Sequence, residues 1–331
     1  MSPLISVIIP AYNAAENVAG ALGSIMDQDY DHIEVILVDD GSTDGTVASS
    51  MGILDAGGRA YRIIEHRENR GVSCARNTGL RAARGEYVVF MDADDRADGD
   101  FISALHGVIS EGEGEIALCG FRDRYASGEE RARPVVEGPS VAYSAEDMAV
   151  MLILGRVATG IWRMMFRRDF LTANGLLFEE GCFAGEDVEF AAKAFSCCRS
   201  AAFSPKCPYI YMIHDGMGSI ANSATREQRL ARYEDNTKAH FRLARYLMER
   251  SGSRRISDIA RCVLLPMSHA RQLNVYARQN DRARFDAAIR SPEVRSALWS
   301  SCGAILLKPE VFLKSLLLLA FPGLYFRLRG K

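Results

Sequence analysis

Three carboxylates follow a short apolar run in this chain. Residues 86–91 read Glu-Tyr-Val-Val-Phe-Met, a pattern typical of a buried strand, and Asp92, Asp94 and Asp95 occupy three of the next four positions. Like charges at the edge of a core repel one another, so such a group calls for a counter-ion. Because open α/β sheets bind ligands at the carboxyl ends of their strands, the acids predict a divalent cation shared with substrate phosphates. A solvated acidic turn is the alternative.

Other polar residues follow the neighbouring predicted strands. Tyr12 and Asn13 come after the first strand, Asp40 after the second, and Arg76 lies on the helix that follows the third. If the strands are parallel, these side chains meet at one edge of the sheet. Tyr12 offers an aromatic face to a base, Asp40 can accept from the imide N–H of uracil or from a ribose hydroxyl, and Arg76 can pair with phosphate or base oxygens. The four residues therefore indicate a nucleotide site.

The first 120 residues alternate β-branched apolar runs with helical patterns, which predicts a parallel sheet with crossover helices. The predicted strands span 6–10, 34–39, 61–65, 86–91 and 116–121, and a later one spans 207–213. Asn13 and Glu16 have the spacing of a capping box, so we expect a helix to begin there. The chain has no GxGxxG after the first strand and no GxxxxGK[ST], which weighs against dinucleotide and P-loop sites.

Composition limits the class of protein. The 331 residues are 48% hydrophobic and 25% charged, as in a soluble globular protein, and the length suits one large domain with an appendage, or two domains. The eight cysteines show no metal-ligand spacing, and the first residues lack the features of a signal peptide. We therefore expect reduced thiols and a cytoplasmic location.

The charge is divided unequally along the chain. Residues 224–331 contain 21 Lys and Arg but 9 Asp and Glu, whereas the remaining residues contain 19 and 33. This basic region has a helical pattern and ends in an apolar run at 311–321, about half the length that spans a bilayer. Basic residues on both sides of the run favour an anchor at 305–331 on an anionic membrane surface over a nucleic-acid site. A helix packed back on the core is the alternative.

Four segments, taken together, resemble family 2 glycosyltransferases. They are residues 6–13 (SVIIPAYN), 38–44 (VDDGSTD), 69–79 (NRGVSCARNTG) and 92–94 (DAD). The resemblance covers roughly the first 220 residues and implies an inverting, nucleotide-sugar-dependent enzyme with a GT-A fold, a mostly parallel sheet flanked by helices. Residues 224–331 are then a helical appendage with no counterpart in the motifs.

The resemblance also implies roles for individual residues. It implies that Asp92 contacts the ribose and that Asp94 binds Mn²⁺ or Mg²⁺ at the diphosphate, with Asp95 beside the metal or in contact with the acceptor. The full set of implied nucleotide contacts is Pro10, Tyr12, Asn13, Asp40, Arg76, Asp92 and Ala93. Family habit and Asp40 together favour a uridine diphosphate sugar as the donor.

A general base is expected in the second half of the chain. The resemblance places it at a helix start like Gly185-Glu186-Asp187. A carboxylate in the first turn of a helix is kept ionised by the helix dipole, so it can take a proton near neutral pH. Asp187 is the predicted base, and Glu186 is a ligand of the acceptor or a substitute base. An ordinary capping acid is the alternative.

Two further residues have open interpretations. Trp162 is either an aromatic surface that lines the acceptor sugar or a core residue. His214 follows a predicted strand and is either a third metal ligand, or diphosphate contact, or a structural histidine.

The predicted protein is a metal-dependent inverting glycosyltransferase. Its predicted domains are 1–223, with a nucleotide half at 1–120 and an acceptor half at 121–223, and the basic region at 224–331. The acceptor would be a glycan or a lipid-linked oligosaccharide of cell-surface polysaccharide synthesis, handled at the inner face of the membrane. A metal-dependent sugar nucleotidyltransferase and a non-catalytic nucleotide-sugar-binding protein remain alternatives.

Overall fold

A computed structural model of the chain describes residues 2–112, 114–135, 144–158, 160–213 and 225–329. The chain divides into two compact units made of interleaved segments. The first unit comprises Met1–Ala145, Val157–Gly181 and Cys198–Ser223, and the second comprises Glu146–Arg156, Cys182–Cys197 and Ala224–Lys331. All eight cysteines are free thiols.

The first unit contains a seven-stranded sheet. Its strands are β1 (Ile5–Ala11), β2 (Ile33–Asp39), β3 (Ala60–Glu65), β4 (Tyr87–Phe90), β6 (Ile116–Leu118), β9 (Met164–Arg167) and β10 (Ala201–Phe203). They lie in the order β10-β6-β9-β4-β1-β2-β3. Strand β9 pairs antiparallel with β4 and β6, and the other neighbours pair parallel. The predicted mostly parallel α/β sheet is confirmed.

A smaller, four-stranded sheet lies in the same unit. Its strands are β5 (Arg96–Ala97), β7 (Phe121–Tyr125), β8 (Glu130–Arg133) and β11 (Tyr209–Ile213), in the order β5-β11-β7-β8. Strand β11 pairs parallel with β7 and antiparallel with β5. This sheet joins the segment just after the three carboxylates to a strand more than a hundred residues later.

Among the described residues, the α-helices of the first unit are α1 (Val18–Met26), α2 (Thr46–Ala56), α3 (Val72–Ala82), α4 (Phe101–Glu111) and α6 (Arg168–Ala173). The predicted helix start at Asn13 is wrong, because α1 begins at Val18 and Asn13 has a positive φ of 47°. Its side chain accepts a hydrogen bond from the backbone of Thr43 and does not cap a helix. Strand residues such as Val7, Ile9 and Val35 form a fully buried core.

The second unit is helical, as predicted for the basic region. Helix α5 (Ala145–Leu154) belongs to this unit from Glu146 onward. The other helices are α7 (Glu186–Cys197), α8 (Arg226–Arg250), α9 (Arg254–Ile259), α10 (Leu265–Arg278), α11 (Arg282–Arg290), α12 (Pro292–Ser300), α13 (Pro309–Ala320) and α14 (Pro322–Arg329). One core cluster gathers Leu273, Phe285, Leu298, Leu318 and Phe326.

Among the described residues, no single helix is long and apolar enough to cross a membrane. Helices α13 and α14 would reach that length and composition together, but a bend of 111° separates them.

Candidate functional site

The carboxyl ends of β4, β1 and β2 lie side by side. Parallel pairing aligns Ala11 of β1 with Asp39 of β2 and Ile8 of β1 with Phe90 of β4. Pro10 lies within β1, and Tyr12 follows it with 50% of its surface exposed. The segments predicted to form a nucleotide site therefore leave the sheet together, and an aromatic side chain faces solvent beside them.

Asn13 connects two of these segments. Its backbone N–H donates to Oγ of Ser42 over 2.9 Å, and its Oδ1 accepts from the N–H of Thr43 over 2.9 Å. The φ of 47° at Asn13 turns the chain sharply, a conformation that asparagine tolerates better than most residues. The loop after β1 is thereby held against the loop after β2.

Asp40 is buried, and both oxygens of its carboxylate accept hydrogen bonds. The backbone N–H of Gly71 donates to Oδ2 over 2.7 Å, and the N–H of Arg70 lies 3.0 Å from Oδ1. Nδ1 of His66 lies 2.6 Å from the same Oδ1. Asp40 thus holds the segment that precedes α3, and this burial counts against the direct base contact predicted for it.

Sequence reasoning missed His66. Its Nε2 lies 3.0 Å from Oγ1 of Thr78, so the imidazole connects Asp40 to helix α3. The signal was available, because His66 is the first residue after β3 and so lies at the same sheet edge as the other motifs.

Asp39 was also missed. Its Oδ2 accepts from the N–H of Ser42 over 3.0 Å, while its Oδ1 is buried and has no hydrogen-bond partner among the residues described. A buried carboxylate oxygen without a donor is costly to keep, so it is suited to receive an N–H or O–H from a ligand.

Arg76 and Asp92 form an ion pair. Nη2 of Arg76 lies 3.0 Å from Oδ1 of Asp92, and the guanidinium carbon lies 5.4 Å from the ring centroid of Phe178. The Arg76 side chain is 4% exposed and that of Asp92 is 28% exposed. Helix α3 therefore delivers a buried cation to the first acid after β4, as the sequence predicts for neighbouring members of one site.

Asp95 lies inside the first unit. Its Oδ2 accepts from the hydroxyl of Tyr209 over 2.7 Å, and its Oδ1 accepts from the N–H of Met212 over 2.9 Å. Burial, followed by the charges of Asp92 and Asp94, raises the pKa of Asp95 to about 8. Because the side chain is 1% exposed, its position counts against the acceptor contact expected of it.

Trp162 has the environment of a core residue. It is 8% exposed, stacks on Tyr209 with ring centroids 4.4 Å apart, and meets Phe121 edge-on at 4.9 Å. Of the two open interpretations, this geometry favours packing over contact with an acceptor sugar.

The carboxylates suit a divalent cation electrostatically. Asp94 is exposed, Asp92 is partly exposed, and both raise the pKa of Asp95, so negative charge is concentrated beside the buried Ala93. No group of three or more His, Cys, Asp or Glu side chains that could hold a metal ion occurs within the described part of the chain. A Mg²⁺-type site usually takes one or two carboxylates plus substrate phosphates, so the residues fit that kind of site. His214 lies outside the described residues.

Glu186 and Asp187 lie in the second unit, in the first turn of α7. Gly185 precedes them with φ of +87°, and a Cβ atom there would lie 2.9 Å from Nδ2 of Asn236. Both acids are partly exposed, whereas Glu189 in the same first turn is buried and pairs with Arg242 over 2.8 Å. The start of α7 therefore depends on a backbone conformation and a close approach that favour glycine at position 185. Glu186 and Asp187 remain in contact with solvent.

More than half of the chain matches the sequence model of a protein family. The sequence model described as "Glycosyl transferase family 2" matches residues 6–185, more than half of the chain. The matched range includes every predicted nucleotide contact and ends one residue before the first helical turn of α7.

Curated relatives cover a similar part of the chain. An uncharacterized glycosyltransferase, EpsJ of Bacillus subtilis, is 32% identical over 216 residues, which are 64% of this chain and 61% of that protein. The succinoglycan biosynthesis protein ExoO of Rhizobium meliloti is 31% identical over 222 residues, 65% of this chain and 62% of that protein. The chain thus spans about three fifths of the length of each.

Solved structures share the fold. S. aureus TarS 1–349 in complex with UDP-GlcNAc matches with a TM-score of 0.67 and 20% identity, over 99% of this chain and 88% of that one. The mannosyltransferase PcManGT from Pyrobaculum calidifontis, in complex with GDP-Man and Mn²⁺, matches with a TM-score of 0.54 and 19% identity, over 97% and 88%.

Proposed function

This chain belongs to glycosyl transferase family 2, and we propose that it transfers a sugar from a uridine diphosphate sugar to a hydroxyl group of a glycan or a lipid-linked oligosaccharide. As a family member it is a transferase enzyme that uses a nucleotide-sugar donor. The uridine donor and the acceptor class are our inference, supported by the UDP-GlcNAc complex of a structural neighbour and by a relative that is a succinoglycan biosynthesis protein.

One observation carries the proposal. Three adjacent parallel strands deliver an exposed aromatic ring at Tyr12, a buried unpaired acceptor at Asp39 and the Arg76–Asp92 ion pair to one sheet edge. We propose that Tyr12 covers the base, that Oδ1 of Asp39 accepts from its imide N–H, and that Asp92 binds the ribose. Asp40 would position the segment before α3 beside the nucleotide. Pro10, Asn13 and Ala93 would shape the backbone around the nucleotide.

We assign the proton transfer to Asp187. In an inverting displacement the acceptor hydroxyl gives its proton to the base, and its oxygen forms a bond to the anomeric carbon as the bond to the diphosphate breaks. The helix dipole of α7 stabilises the ionised form of Asp187, and Glu186 beside it would orient the acceptor hydroxyl. The leaving group is the nucleoside diphosphate.

Asp94, with Asp92 next to it, would hold Mn²⁺ or Mg²⁺, and His214 remains a candidate third ligand. A bound cation would stabilise the charge that develops on the departing diphosphate. The Mn²⁺ complex of a structural neighbour supports this choice of metal.

The remaining proposals concern which segments bind the donor, the acceptor and the membrane. We propose that residues 1–120 bind the donor, that 121–223 shape the acceptor side, and that 305–331 attach the protein to the inner face of an anionic membrane. Attachment there would bring the enzyme to lipid-linked acceptors.

The test is release of UDP from a panel of uridine diphosphate sugars, with and without Mn²⁺. Our expectation is metal-dependent UDP release that a suitable acceptor accelerates. Formation of pyrophosphate and a nucleotide sugar from a sugar phosphate would instead show a nucleotidyltransferase. Tight donor binding without release under any condition would indicate the non-catalytic alternative.

A further inference from the structure

Two arginines of the second unit share one aromatic ring. The guanidinium carbons of Arg271 and Arg278, both on α10, lie 5.9 Å and 5.5 Å from the ring centroid of Tyr233. Both guanidinium groups therefore lie beside one ring, and the cation–π contacts stabilise their positive charge. Arg271 also donates to Oδ1 of Asn236, whereas Arg278 is exposed and, among the described residues, forms no side-chain hydrogen bond, so its N–H groups are available to an anion.

Two more cations come from helices that pack together with α10, because Leu273 of α10, Leu318 of α13 and Tyr325 of α14 belong to one core cluster. Burial, followed by the charges of Arg329, Arg271 and Arg278, lowers the pKa of Lys314 on α13 to about 8. Arg329 itself lies at the end of α14, with its guanidinium carbon 6.0 Å from the ring centroid of Tyr325. We call Arg271, Arg278, Lys314 and Arg329 the cation cluster.

The cluster has no internal counter-charge. Over residues 225–329, as far as these are described, none of its four members forms a salt bridge with an Asp or Glu side chain. Neighbouring arginines differ in this respect, since Arg282 pairs with Asp286 over 2.9 Å and Arg284 pairs with Asp281 over 3.3 Å. Unbalanced like charge in a partly buried setting calls for an anion from outside the chain.

The helices that supply Lys314 and Arg329 also expose apolar side chains. Leu313 on α13 is 61% exposed, and Leu328 on α14 is 63% exposed. The other exposed apolar residues of this part of the chain are Ile305, Leu306, Leu307, Leu316, Phe321 and Leu324. Exposed leucines beside a cluster of cations are typical of helices that lie in the interface of a membrane.

We propose that α13 and α14 dock on an anionic lipid bilayer and that the cation cluster binds the phosphate of a lipid headgroup. Arginine forks match phosphate oxygens with charge-assisted hydrogen bonds, while the leucines enter the boundary of the acyl chains. A second copy of this chain would bring two positive clusters together, so it is the poorer occupant. This inference deepens the membrane attachment proposed above and does not depend on transfer activity.

The first test measures the cluster itself with inorganic phosphate. At matched ionic strength with chloride, phosphate should raise the melting temperature of the whole chain. The double variant Arg278→Gln/Lys314→Gln should lose this response while folding normally, since it removes repulsion. An equal response in the variant would overturn the phosphate site.

The second test uses vesicles of phosphatidylcholine with and without phosphatidylglycerol. Each basic residue near an anionic surface contributes about fivefold to binding, so the double variant should bind about 25-fold more weakly. Arg255→Gln is the matched control, because Arg255 is already paired with Asp147 over 2.6 Å, and it should change binding by less than about twofold. The variant Leu313→Gln should weaken binding to both vesicle types.

Phosphate stabilisation, vesicle binding and UDP release each test a different part of the two proposals. Phosphate stabilisation without vesicle binding would overturn the bilayer as the source of the phosphate, and binding to RNA in place of vesicles would do the same. UDP release is measured in parallel without lipid. Its absence alongside normal vesicle binding would reject the proposed function and leave the lipid site standing.

Discussion

Nη2 of Arg76 lies 3.0 Å from Oδ1 of Asp92, with the guanidinium almost wholly buried. This pair connects helix α3 to the loop after β4 through two residues sixteen positions apart in the sequence. A buried cation here offsets part of the negative charge that three acids bring to the sheet edge. It also orients Asp92, whose remaining exposure leaves it able to meet a ligand.

Replacing Arg76 should therefore affect both the fold and the site. Arg76→Met leaves the partly buried Asp92 without its partner and should lower the free energy of unfolding by about 2–3 kcal/mol. The Michaelis constant for the donor should rise as well. The control is Arg81→Met on the same helix, where the side chain is 56% exposed and the variant should cost less than about 0.5 kcal/mol. Equal losses in urea denaturation would contradict the argument.

The stability of the protein should depend on pH through Asp95. Because its pKa is raised from 3.8 to about 8, the folded chain keeps a proton that the unfolded chain releases. The contribution of Asp95 to stability is thus complete below about pH 4, falls as the pH rises towards 8, and is lost above that. Asp95→Asn imitates the protonated form, so it should flatten this slope and raise the melting temperature above that of the wild type at pH 8.

The measurement is thermal denaturation from pH 5 to 9 in the presence of a chelator, which removes any contribution from bound metal. Glu129→Gln serves as the comparison, because Glu129 is exposed and its charge is not among those that raise the pKa of Asp95. An unchanged slope in Asp95→Asn would show that another group controls the pH dependence.

Asp94 is predicted to act through the metal. Asp94→Ala should abolish the part of UDP binding that depends on Mn²⁺ while leaving binding in chelator nearly unchanged, since a lost oxygen ligand affects only the metal-bound state. Isothermal titration of UDP with and without Mn²⁺ makes the comparison. Glu129→Ala removes an exposed acid elsewhere in the first unit and should behave like the wild type. If Asp94→Ala binds UDP–Mn²⁺ normally, the ligand assignment is wrong.

We predict that Asp187 takes the proton of the acceptor hydroxyl and does not contribute to binding of the donor. Asp187→Asn should reduce sugar transfer by about 10²–10⁴ and keep the affinity for the nucleotide sugar. Glu186→Gln, one position earlier in the same helical turn, should lose much less turnover and show a raised Michaelis constant for the acceptor. Comparable losses in the two variants would point to damage of the α7 start and not to a base.

The sequence alone predicted which segments form the central strands and which polar residues follow the ends of those strands. Apolar runs of β-branched residues predicted β1, β2 and β4, and the polar residue after each run predicted a shared edge. The structure places the three strands next to one another, because parallel strands with helical crossovers put all their carboxyl ends on one side. Arg76 and Asp92 could be assigned to one site on that basis.

Which carboxylates remain exposed depends on tertiary contacts that the local sequence does not show. Asp40 and Asp95 have the same residue type and loop position as Asp94, yet one is occupied by the backbone of Arg70 and Gly71 and the other by Tyr209 and Met212. These partners come from distant segments. Strand β5, which is two residues long, likewise exists through its pairing with β11. Local pattern shows where a polar group occurs, but burial and hydrogen bonding depend on chain segments that meet only on folding.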